Sequence, residues 1–150
     1  MQKGAEEIEV REKAAEVYSK IALEEIKRNK TEIMEETGVK IGRIGITASL
    51  NNESEFAEKI VDYLTPICMN CLKMKEAPEI VSKLLCMGAI AKEKDERSLE
   101  HKVKNSVSEL LELSKDNELE DFFDRTIELA KKENNEYKLQ IEKLLEEIDY

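Results

Sequence analysis

The carboxyl-terminal stretch constrains this chain most. From Phe123 onward its seam positions recur in alternating steps of four and three: Phe123, Ile127, Ala130, Asn134, Tyr137, Ile141, Leu144 and Ile148. A 3.5-residue repeat belongs to an amphipathic helix, and held strictly it suits two helices winding round each other. Ile127, Asn134, Ile141 and Ile148 then occupy the a positions. β-Branched residues there favour a parallel pair, and one buried Asn fixes register. Glu133 and Lys138 flank the seam and would attract across a parallel homodimer. An ordinary bundle helix laying its stripe on its own core shows the same spacing. Both readings stay open, and in both the segment is helical.

Composition extends that expectation to the whole chain. Charged residues make up 39% and apolar ones 41%, with 5 Gly, 2 Pro and no Trp in 150 residues. Helices use this Glu, Lys, Leu, Ile and Ala mixture and sheets avoid it. Aromatics at 5% leave the core mainly aliphatic. The net charge of −10 repels phosphate backbones and anionic membranes at long range. No apolar run approaches the ~20 residues that span a bilayer, and Met1–Glu6 shows no signal-peptide core. Three cysteines, an odd number, suit a reducing interior better than a disulfide framework. A cytoplasmic protein is expected.

Periodicity and punctuation predict a single all-α domain, a bundle of about five or six helices with a long C-terminal helix. The helices are expected over about 6–29, 31–37, 52–75, 78–92, 98–114 and 117–149, with an irregular segment over 38–51. In the first, Val10, Ala14, Val17, Tyr18, Ile21, Ala22 and Ile26 line one face, and Asn29 is the stop. Thr31 is an N-cap candidate for the second. Gly38, Gly42 and Gly45 interrupt the helical pattern among Val39, Ile41, Ile44 and Ile46. That region could be a glycine-weakened helix, a packed loop or a short strand. Asn52 and Glu55 have capping-box spacing, Pro66 predicts a kink near 62–65, and Pro78 suits a first helical turn. Ser98 is a further N-cap candidate.

Three constellations could carry chemistry. Cys68 and Cys71 stand one helical turn apart, with Cys86 and His101 following at equal intervals; a Cys3His set would satisfy tetrahedral zinc. The thiols also fall on apolar stripes, where free cysteines are ordinarily buried. The second constellation is Ile33-Met34-Glu35-Glu36-Thr37-Gly38-Val39, continuing to Ile44 and Leu50. It resembles in outline the helix-turn-helix of transcriptional regulators. That resemblance implies DNA binding through residues 31–50, with Lys40 and Arg43 toward the nucleic acid. The third comprises Glu93 with Glu96 and Glu118 with Asp121. These pairs are similar to the ExxE…ExxD set of all-α nucleotide pyrophosphatases, which implies a Mg2+-dependent enzyme.

The chain has no Gly-rich phosphate loop, no nucleophile elbow and no HExxH, and it has a single histidine. The expected function is therefore non-enzymatic, with no cofactor: a small structural subunit or adaptor that forms a homodimer or joins another protein subunit. Ile127, Asn134, Tyr137, Ile141, Leu144 and Ile148 are the expected interface.

Overall fold

A computed structural model describes the backbone at residues 2–28 and 31–148, and the side chains there except at 2–6, 31 and 33. The expected stop Asn29 lies outside the described residues, as does the side chain of Thr31. Among the described residues the chain is all-α, a bundle of seven packed helices with no strand. They are α1 (Gln2–Lys27), α2 (Thr31–Leu50), α3 (Ser54–Cys71), α4 (Ala77–Glu93), α5 (Arg97–Asp116), α6 (Phe122–Glu133) and α7 (Lys138–Glu147). A 3-10 turn, Asn135–Tyr137, joins the last two.

Helix α4 is the centre. Every residue from Ala77 to Ala91 is buried except Glu79, which is half-buried. A helix that is apolar nearly all round must lie inside the protein. Helices α2, α3, α5, α6 and α7 surround it, and α1 lies outermost, on α2 and α3. Pro78 falls in the first turn of α4, where its missing N–H costs nothing.

The segment expected to be irregular over 38–51 belongs to α2, which runs unbroken as a 20-residue helix from Thr31 to Leu50. Its glycines lie in steps of four and three and form one stripe against α4. A Cβ on Gly38 would stand 2.8 Å from Ile80 Cδ1, on Gly42 2.4 Å from Lys83 Cγ, and on Gly45 2.6 Å from Met87 Sδ. Helix propensity lost at each glycine, about 1 kcal/mol, is offset by the close packing that the missing side chains permit.

The terminal helix expected over 117–149 is two helices. It breaks at Asn134, whose φ of −128° and ψ of 59° lie outside the helical region. Residues 117–121 form a turn rather than a first helical turn. Helices α6 and α7 each lay their own apolar stripe on α4, which one straight rod could not do. Pro66 sits inside α3 without ending it.

Three helices end alike. Asn52, Asp95 and Glu118 take positive φ (62°, 57° and 58°) just after α2, α4 and α5. In each case the next residue's N–H reaches back to a carbonyl five residues earlier: Glu53 to Ala48, Glu96 to Ala91, and Leu119 to Ser114, all at 2.9 Å. This left-handed cap usually takes glycine. It displaces the expected capping box: α3 begins at Ser54, and its cap residue Glu53 makes no side-chain cap bond. Ser98 likewise caps nothing; its hydroxyl donates to Glu58 at 2.9 Å.

Candidate functional site

The face expected to turn inward on α1 divides into two. Ala22 is buried against α2 and α3 beside Ala15 and Ser19, Tyr18 and Ile26 are half-buried against the core, and Val10, Val17 and Ile21 are 69%, 45% and 39% exposed. Residues 10, 14, 17 and 21 recur in steps of four, three and four, so they form a seam of their own on the outer side. Small side chains on the inner stripe let α1 sit close. Salt bridges hold it there: Arg11 to Glu53 at 2.6 Å and Lys59 to Glu12 at 2.8 Å. The Arg11 guanidinium also covers the Phe56 ring at 5.4 Å, and the Lys40 ammonium stands 5.7 Å from the Tyr18 ring. The outer stripe is thus displayed on a helix fixed from behind.

Charges frame that stripe. With Ala14 and Ile21 at a, and Val10 and Val17 at d, Lys13 and Lys20 take g while Tyr18 and Glu25 take e. One carboxylate oxygen of Glu25 is buried and accepts no hydrogen bond from the described residues.

A second polar feature is internal. Lys83 is 2% exposed in the middle of α4, and its ammonium bonds the Glu133 carboxylate at the end of α6. Gly42 makes room for its stem. Beside it the Cys86 thiol approaches the Ala130 carbonyl at 3.8 Å and shares a hydrogen bond with the Asn134 side chain. Burial, helped by the Glu133 charge, pushes this thiol up to about 12, although Lys83 and Asn134 pull the other way. The cluster fixes where α6 stops and holds Cys86 as a neutral thiol, the unreactive form.

The structure does not bring the expected zinc ligands together. Cys68, Cys71 and Cys86 are free and buried, whereas His101 is exposed on α5. Burial raises Cys68 well above its usual range and Cys71 to about 12. Among the described residues no group of three or more His, Cys, Asp or Glu is placed to hold a metal ion. The acidic pairs do not share a helical face: Glu93 and Glu96 straddle the turn after α4, and Glu118 and Asp121 the turn before α6.

The helix-turn-helix outline has no turn, because Gly38 lies mid-helix against Ile80. Lys40 and Arg43 are exposed on α2, and Lys40 pairs with Glu36 at 3.4 Å. They border a cleft shared with Glu32, Glu35 and Glu79. Burial, together with the Glu76 and Glu79 charges, raises Glu35 above its ordinary value. This setting opposes phosphate.

Of the expected interface, Ile141 and Leu144 are fully buried within the subunit. Ile127, Tyr137 and Ile148 are half-buried against the same core, and Asn134 occupies the break. Sequence reasoning missed the α1 stripe as a surface because two apolar seams share one helix and periodicity does not say which is covered. No helix of the described residues is long and apolar enough to cross a membrane. No protein-family model matches the chain, and no curated protein or solved structure matches it.

Proposed function

We propose that this chain is a non-enzymatic cytoplasmic interaction protein that works by self-association, with the outer stripe of α1 as its docking face. The observation that carries the reading is the exposure of Val10, Val17 and Ile21 on a helix whose other face is already packed. Charge selects a second copy in parallel orientation. In that pairing each g residue meets the e residue five positions on in the partner, so Lys20 faces the carboxylate of the half-buried Glu25. Antiparallel pairing would set Lys13 against Lys20 instead.

Covering the exposed part of each side chain contributes about 1 kcal/mol. The six side chains of two chains thus give about 6 kcal/mol, and after the cost of association this supports only a weak dimer, with a Kd in the range of about 1 mM and above. Sedimentation equilibrium over that range tests the proposal. Wild type should shift from monomer to dimer, and Val17→Glu with Ile21→Glu should weaken the shift by more than about tenfold, as buried like charges require. A chain that stays monomeric throughout, or a double variant that dimerises undiminished, overturns it.

A further inference from the structure

The terminal helix α7 is held by elements distant in sequence. Leu144 seats in a notch that Gly88 leaves on α4, where a Cβ would stand 2.8 Å from Leu144 Cδ2 and 2.7 Å from Val103 Cγ1 of α5. Glu147 bonds both Lys92 of α4 and Lys104 of α5, and Gln140 donates to Glu93 at 2.5 Å. Only one ion pair joins α7 to α6 among the described residues, Lys131 to Glu142 at 3.1 Å. The turn between them, Asn134 to Tyr137, is short and contains neither glycine nor proline. The heptad rhythm meanwhile passes through it without a slip, from Ile127 to Ile148. The apolar rhythm is thus that of one straight helix, weakened locally by Asn134 and Asn135, and the cluster at the end of α6 together with the α4–α5 groove holds the bend.

We infer that the groove on α4 and α5 is a binding site for the α7 helix of a second copy, reached when α6 and α7 straighten into one helix and two chains exchange arms. The exchange re-forms every α4 and α5 contact of α7 in the partner, including Leu144 on Gly88 and Glu147 between the two lysines. It gives up the Lys131–Glu142 pair, the rest of the α6–α7 packing, and the turn with its contacts to α4, among them the Asn134–Cys86 hydrogen bond. In return the chain gains a continuous helix through Asn134. A short hinge is the element that favours such swapping. Ile141, Leu144 and Ile148 then become contacts between chains. The mode is independent of the α1 seam, which would leave α7 on its own subunit.

Isotopic mixing separates the two. Heavy and light full-length chains are unfolded together, refolded at high concentration, and joined by a zero-length carbodiimide that captures touching lysine–carboxylate pairs. Arm exchange yields Lys104–Glu147 and Lys92–Glu147 cross-links of mixed isotope in the dimer fraction. Asn134→Ala with Asn135→Ala should raise that fraction by about tenfold per arm through helix propensity. Asn135→Pro should suppress it, since proline bars a straight helix yet follows a residue already outside the helical region. Wild-type cross-links of single isotope only would overturn the inference, as would mixed cross-links undiminished by Asn135→Pro. A dimer with single-isotope cross-links would leave the α1 seam standing and remove the arm exchange.

Discussion

Gly42 shows how one residue sets the distance between two helices. Its missing side chain admits the stem of Lys83, and an added Cβ would stand 2.6 Å from Lys83 Cβ and 2.4 Å from Cγ. The first of those atoms is fixed by the α4 backbone, so no rotamer change relieves the clash. Gly42→Ala gains about 1 kcal/mol in helix propensity but must push α2 off α4, with an overpacking cost of about 1–3 kcal/mol. The displacement also disturbs the stem through which Lys83 reaches Glu133, and a buried ammonium that loses its partner is costly. A net loss of about 2 kcal/mol in urea unfolding is expected. An unchanged midpoint would show that the close approach at Gly42 contributes little to stability.

Helix α7 is the element whose attachment depends on charge. Glu147 sits between Lys104 and Lys92, and hydrogen bonds from the two ammonium groups lower its carboxyl from 4.5 to about 2. A carboxyl with a lowered folded value contributes stability above 4.5, and that contribution is lost as pH falls toward about 2. Because Glu147 is 39% exposed, solvent limits the contribution to about 0.5–1 kcal/mol. Glu147→Gln should therefore destabilise at pH 7 and leave stability near pH 2 unaltered. Glu35 runs the other way: its raised value means stability is lost as pH climbs from 4.5 through the folded value, so Glu35→Gln should stabilise at pH 7. Urea midpoints of the two variants at both pH values check the opposite signs. The sequence announced α3, α4 and α5 well, because their apolar faces have clear periods and Pro78 marks a start. It left α2 open because three glycines argue against a helix in isolation, and only a neighbouring helix at close range turns them into a packing stripe. The break at Asn134 had only a weak local signal, the low helix propensity of Asn134 and Asn135, since the apolar rhythm continues through it and tertiary capture by α4 decides. The candidate site was less legible still: Val10, Val17 and Ile21 were visible as apolar, but not as uncovered.

For the whole molecule, burial decreases from α4 outward, and so should resistance to opening. Helix α4 is enclosed by five others, so its amides can exchange with solvent only when the bundle comes apart. Helix α1 rests on α2 and α3 through the buried Ala15, Ser19 and Ala22 and the half-buried Ile8, Tyr18, Leu23 and Ile26, so its large apolar side chains are covered only in part. Two ion pairs and the Arg11–Phe56 contact add modestly, because pairs at or near the surface contribute about 1 kcal/mol each. Lifting α1 away therefore costs less than global unfolding, and its amides should exchange about a hundredfold or more faster than those of α4. The docking proposal adds a second dependence. If α1 meets a second copy through Val10, Val17 and Ile21, its exchange must slow as protein concentration rises through the dimer range, while α4 keeps its rate wherever dissociation is not required for global opening. Hydrogen exchange at about 10 μM and about 1 mM, the second reaching the range of the expected Kd, reads both at once. Protection of α1 equal to that of α4 at the lower concentration would contradict the layered order. Concentration-independent exchange in α1 would show that its outer stripe stays bare, and would remove the surface on which self-association was placed.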